Sequence, residues 1–227
     1  LAKQYNTIPV FYEFSADNQT PLNIYTALSK DSRNSFILES VSNGVQWDRY
    51  SFVGVSPKEE ICITGNTAEI RTGDKIETKE VEQPIAFLKE RMAAYRSPVL
   101  EGDPNFTGGL IGYFGYDTVR YMEKKLTHVS EDDIHMPDCH LFLYEELLAY
   151  DHLTSNGTVI LNLHTDGDLG AQYAAAQWRA EELADIVRHY NPQPQVRQYH
   201  GESVVRSNLT KEQYSQMVRD AKEYIRN

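Results

Sequence analysis

The side chains best placed to do chemistry are Glu39 and Ser40, directly after the apolar run Ser35–Leu38, with Asp48 and Arg49, directly before a second run, Tyr50–Gly54. A polar turn containing Ser42, Asn43 and Gly44 joins the two runs. Runs of this length bounded by Ser, Asn and Gly read as paired strands. Such a hairpin sets a carboxylate, hydroxyls and a guanidinium at neighbouring strand ends beside an apolar wall. That is the composition of a small-molecule pocket. Residue types alone favour the plainer reading, an ordinary hairpin with solvated ends.

Other constellations carry less. Gly108, Gly109, Gly112 and Gly115 invite a phosphate-loop reading, but no Lys-Ser/Thr follows and the spacing is not that of a dinucleotide fingerprint. Leu110, Ile111, Tyr113, Phe114 and Tyr116 sit between them, so the run reads as a strand with close-approach glycines. Asp117 and Arg120 follow on a short helical turn and suit a structural ion pair. His135, Asp138, Cys139 and His140 match no standard zinc spacing and read as structural; no metal site is expected. There is no Gly-x-Ser-x-Gly elbow, and strand alternation sends Glu145 and Glu146 to opposite faces, against a catalytic pair.

The elements that must position these groups follow from patterning. Ile8–Phe14 reads as a strand, and Thr20-Pro21 caps a helix with Leu22, Tyr25 and Leu28 on its apolar face. Glu59–Thr64, Thr67–Arg71 and Lys75–Lys79, separated by Gly65-Asn66 and Gly73-Asp74, predict an antiparallel meander. Pro84 opens a helix to about Tyr95, with Ile85, Leu88 and Met92 on one face. Asp138–Tyr150 reads as one long strand with a late start or a bulge, hairpinned to Thr158–Leu163. Asp168 caps a helix with Leu169, Tyr173, Ala176, Ala180, Leu183, Val187 and Tyr190 on its face. Thr210 and Gln213 form a capping box for a last helix, with Tyr214, Met217, Ala221 and Ile225 facing inward. The expected class is α+β, packed antiparallel β-sheets flanked by helices. Residues 1–190 form the main region, 191–207 a linker, and 208–227 a helix that leads into missing sequence.

Composition bounds the partners. The 227 residues suffice for a sizeable core, and 41% apolar content fits a folded chain. Acidic residues outnumber basic ones 33 to 22, a net charge of −11 that disfavours nucleic acid and anionic membranes. No apolar run approaches a membrane span, and LAKQYNTIPV lacks a signal-peptide core, so a cytoplasmic location is expected. Cys62 and Cys139 read as reduced, buried thiols.

The blocks FILESV, RYSFVGVSP, GGLIGYFGYDTVRYME, MPD and LLAYDH together resemble the N-terminal half of the anthranilate synthase component I family, in register from about Thr7 to the end. The resemblance implies an incomplete part of that family's fold, in which antiparallel sheets pack together with helices outside. It implies a whole enzyme, a lyase, that converts chorismate and ammonia, supplied from glutamine by an amidotransferase subunit, to anthranilate and pyruvate in tryptophan biosynthesis. Mg2+ and chorismate would bind the C-terminal half, leaving this chain inactive alone, without catalytic residues or a cofactor. The family's tryptophan feedback site maps onto Leu38, Glu39, Ser40, Arg49, Tyr50 and Ser51. Glu39 would pair with the ammonium, Ser40 and Ser51 with the carboxylate, and Leu38 and Tyr50 would wall the indole; Arg49 would answer the carboxylate or orient Glu39. The alternatives are an aminodeoxychorismate synthase component I with a structural tryptophan pocket, or mainly an amidotransferase-docking module.

Overall fold

Short runs of alternating or continuous apolar residues, punctuated by Gly, Pro and Asn, become strands that pair with distant parts of the chain. The computed structural model describes residues 4–39, 49–99, 102, 104–123, 125–126, 132, 134–192 and 206–226. In chain order the elements are β1 (Thr7–Ser15), α1 (Pro21–Leu28), β2 (Ser35–Leu38), β3 (Tyr50–Val55), β4 (Glu59–Thr64), β5 (Thr67–Thr72) and β6 (Lys75–Glu80). They continue with α2 (Pro84–Ala93), β7 (Gly109–Phe114), β8 (Cys139–Tyr144), β9 (Glu146–Asp151), β10 (Asn156–His164), α3 (Leu169–Arg188) and α4 (Lys211–Arg226). One antiparallel sheet runs β1-β10-β9-β3-β2 and the other β6-β5-β4-β8-β7. The α+β architecture expected from patterning is therefore present, meander included.

Each sheet buries two kinds of face. Val53, Val55, Leu148, Val159 and Leu161 of the first sheet pack under Ile24 of α1 and Ala180, Leu183 and Val187 of α3. Its other face meets the second sheet through Phe36, Phe52, Leu147, Ala149 and Ile160 against Ile111, Phe142 and Tyr144. The outer face of the second sheet, with Ile61, Ile63, Ile70 and Leu141, is covered by Phe87 and Leu88 of α2. Burying such side chains is worth about 1.5–3 kcal/mol each, so these layers fix the strand positions.

Three expectations change in detail. The run from Asp138 to Tyr150 is two strands in different sheets, not one strand with a bulge, and Glu145 is the switch residue. Its carboxylate is held at 2.8 Å by Lys58 Nζ, from the other crossover between sheets, and at 2.8 Å by His164 Nε2. A charged residue between two apolar runs thus turns the chain where it can be paired. In α1 the buried residues are Pro21, Ile24 and Ala27, whereas Leu22 is exposed; the Thr20 cap holds as expected, accepting from the Asn23 N–H at 3.2 Å. In α3 the buried side is Ala176, Ala180, Leu183, Ala184 and Val187, while Tyr173 is exposed.

The chain divides into two compact units, Leu1–Pro192 and Gln193–Asn227. In the second, the Thr210 N–H donates to Gln213 Oε1 at 2.8 Å and the Gln213 N–H to Thr210 Oγ1 at 3.2 Å, which closes the capping box of α4. None of the α4 residues is buried, Tyr214, Met217 and Ile225 included.

Candidate functional site

β2 and β3 pair as read, while the turn residues Ser42, Asn43 and Gly44, and Asp48, lie outside the described residues. Ser35 pairs with Val55, Phe36 with Gly54, Ile37 with Val53 and Leu38 with Phe52, and β3 pairs on its other side with β9. Because successive strand residues face opposite ways, Leu38, Tyr50 and Phe52 lie on the face toward the second sheet. Ser51 lies with Val53 and Ile37 on the face toward the helices. The five described candidates, Leu38, Glu39, Arg49, Tyr50 and Ser51, are therefore gathered at one end of the β2–β3 pair, with Leu38 and Tyr50 on one face and Ser51 on the other. Ser40 lies outside the described residues.

On the sheet-facing side an aromatic row runs inward from the site. The Tyr50 and Phe52 rings are 6.2 Å apart, Phe52 meets Phe106 edge-on at 5.5 Å, and Phe36 contacts Phe106 at 6.5 Å and Tyr144 at 4.7 Å. Edge-on rings at these separations are favourable by about 0.5–1.5 kcal/mol per pair beyond their burial. Leu38 stands at the outer end, 44% exposed. An apolar, planar ligand group finds a wall here.

On the polar side, Arg49 donates from Nε to both Asp151 oxygens at 3.0 Å and from Nη2 to Oδ2 at 2.6 Å. Its guanidinium stands 5.0 Å from the Tyr50 ring centre. The hydrogen bonds to Asp151 hold the guanidinium pKa above its ordinary value, outweighing burial. Burial pushes the Asp151 carboxyl up, but hydrogen bonds from Arg49, the Leu153 N–H and Thr154 outweigh it, and the group lies below the usual carboxylate value. Ser51 is fully buried, and its Oγ is spent on His152 Nε2 at 2.8 Å. The His152 ring also packs edge-on against Tyr150 at 5.1 Å, and its backbone N–H donates to the Arg49 carbonyl at 2.9 Å. Glu39 is exposed and has no hydrogen-bond or ion-pair partner among the described residues.

Asp151 and His152 were not among the residues singled out from sequence. They lie in the LLAYDH block, at the start of a segment that reads as a turn, and only the pairing of β3 with β9, about a hundred positions apart, brings them to Arg49 and Ser51. The lesser candidates have structural partners. Asp117 pairs with Arg120 at 2.8 Å, and Glu146 forks to Arg179 of α3 at 2.8 Å. His140 bonds Glu60 at 2.7 Å, and Asp138 accepts from Tyr121 at 2.7 Å and the Gly65 N–H at 2.6 Å. The buried Cys139 thiol is pushed up to about 11 by burial, with Asp138 and Cys62 adding to it, and both cysteines are free. Among the described residues no three His, Cys, Asp or Glu side chains are grouped to hold a metal, and no helix is long and apolar enough to cross a membrane.

Comparison with known proteins agrees with these blocks. The chorismate binding enzyme family matches residues 48–227. Anthranilate synthase component 1 of Acetivibrio thermocellus is 36% identical over all of this chain and 47% of its own length. Anthranilate synthase alpha subunit 2, chloroplastic, of Arabidopsis thaliana is 33% identical over 97% of this chain and 39% of its own. The crystal structure of anthranilate synthase component I from Streptococcus pneumoniae TIGR4 superposes with a TM-score of 0.52 over 93% of this chain and 44% of that one, at 24% identity, which speaks for the fold. This chain spans about half the length, or less, of the relatives it matches. With four-fifths of its residues inside one family match and its two-sheet fold shared, the chain belongs to the chorismate binding enzyme family.

Proposed function

We propose that this chain is the N-terminal, tryptophan-sensing portion of an anthranilate synthase component I. The whole enzyme would convert chorismate and ammonia, delivered by a glutamine amidotransferase subunit, to anthranilate and pyruvate in the cytoplasm. The observation that supports the activity is the similarity to anthranilate synthase component 1 along the entire chain. Chorismate and Mg2+ would bind the remaining half of the enzyme.

The sensing role rests on the hairpin end. Glu39 is exposed, has no hydrogen-bond or ion-pair partner among the described residues, and follows Leu38 in the chain, at the end of β2 that carries the row's Tyr50 and Phe52 opposite it. Free tryptophan carries an ammonium for Glu39 and an indole for the aromatic row. Ser51 contributes through His152 rather than by direct contact, since its hydroxyl is buried and engaged. Residues of the other half would complete the site, so bound tryptophan would favour one arrangement of the halves and inhibition would be a coupling between two sites, worth about 1–3 kcal/mol.

The full-length enzyme supplied with chorismate and ammonium tests this by product identification. Anthranilate, suppressed by micromolar-to-millimolar L-tryptophan, is expected. Aminodeoxychorismate as product, or turnover indifferent to tryptophan, would overturn the assignment, as would anthranilate formation by the purified 227 residues alone.

A further inference from the structure

The charges at the hairpin end are not balanced between a cation and an anion awaiting a zwitterion. Arg49, directly before β3, is already answered: Asp151, only 8% exposed, takes both its Nε–H and one Nη2–H within 3.0 Å. Glu13 adds a further negative field at the guanidinium. Glu39 has no counter-charge among the described residues. The described groups Arg49, Asp151 and Glu39 thus leave a net negative charge beside an aromatic wall. A ligand's ammonium meets an open carboxylate there, while a ligand's carboxylate meets a guanidinium whose charge is cancelled within one hydrogen bond.

We propose that Asp151 is the specificity-determining residue of this site: by holding Arg49 neutralised it makes the site a receptor for an aromatic primary amine, with the ligand's carboxylate secondary. This rests on the reading of the hairpin end as a tryptophan site and adds which half of the head group is recognised. Asp151 acts through Arg49 and is a positioning residue, not a ligand contact. A unit charge about 12 Å away, at an effective dielectric of about 20, alters an ionic ligand's affinity about tenfold, so the effect is measurable even without direct contact.

The test is calorimetric titration of the full-length protein with L-tryptophan, tryptamine and indole-3-propionate near neutral pH. Tryptamine is expected within about tenfold of L-tryptophan, and indole-3-propionate at least about tenfold weaker than tryptamine. In Asp151→Asn, which keeps the side chain's shape but releases the guanidinium charge, the tryptamine-to-indole-3-propionate preference should fall about tenfold or invert. If L-tryptophan binds but indole-3-propionate equals or exceeds tryptamine in the wild type, the proposal is wrong while the site assignment stands. An unchanged preference in folded Asp151→Asn also overturns it. Absence of L-tryptophan binding sinks the site assignment itself. Should Asp151→Asn fail to fold, the wild-type comparison still decides between amine-led and carboxylate-led recognition.

Discussion

Gly54 allows the ring of Phe36 to lie across β3, and this contact sets the inner end of the aromatic row. A Cβ at Gly54 would stand 2.1 Å from Phe36 Cε1 and 2.8 Å from Cδ1 and Cζ. The ring makes edge-on contacts with Tyr144 at 4.7 Å and Phe106 at 6.5 Å, so yielding to the new methyl group would disturb both. Gly54→Ala should therefore cost about 1–3 kcal/mol, the usual range for overpacking a filled core. Gly54 is not in the left-handed region, so alanine strains no backbone there. Phe36→Val alone should cost about 2–4 kcal/mol in lost burial and ring contacts. With the ring gone, Gly54→Ala should become neutral or stabilise by about 0.5 kcal/mol through the reduced freedom of the unfolded chain. The sign of one substitution thus depends on the other, an interaction of about 1–3 kcal/mol. Thermal or urea unfolding of the four proteins gives the cycle, with about 2–4 °C in Tm expected per kcal/mol. Equal cost of Gly54→Ala in both backgrounds would refute the packing argument.

Two further outcomes follow from the same geometry. Asp151 has a folded-state value below the ordinary 3.8, so the stability it contributes is full above about pH 4 and is lost as pH falls through that lower value. The stability gap between wild type and Asp151→Asn, about 1–3 kcal/mol for hydrogen bonds to a charged group, should stay constant from about pH 7 to 5 and narrow as pH falls below about 4; a gap that narrows already near pH 6, or that does not narrow at all in acid, would contradict this. Cys139 is buried with its thiol raised to about 11, so iodoacetamide at about pH 8 should leave it unmodified in the native protein and alkylate it after unfolding. Native-state labelling of Cys139 at the rate of a free thiol would show the strand to be open.

Local chemistry was legible in the sequence and long-range pairing was not. Thr20, Asp168 and the Thr210–Gln213 box cap their helices as read, because capping is decided within three or four residues. The pairing of β2 with β3 follows from their short apolar runs, and the β4-β5-β6 meander from its turns and alternation. Period-two patterning tells which residues share a face but not which strand lies beside them. Nothing local therefore announced that β9 would pair with β3, or that Asp151 and His152 would meet Arg49 and Ser51. The switch at Glu145 was hidden for the same reason: no Gly or Pro marks it, and its partners Lys58 and His164 are distant in the chain. The LES and RYS blocks carry a family resemblance, but only strand pairing sets Leu38 and Tyr50 on one face and Ser51 on the other.

The most direct test of the central claim is the L-tryptophan inhibition constant of full-length Glu39→Gln against that of the wild type, read from anthranilate fluorescence. Neutralising Glu39, a carboxylate without a hydrogen-bond or ion-pair partner among the described residues, should weaken inhibition by about tenfold or more, as expected for a lost charged hydrogen bond. An unchanged inhibition constant would contradict a tryptophan site at this hairpin end.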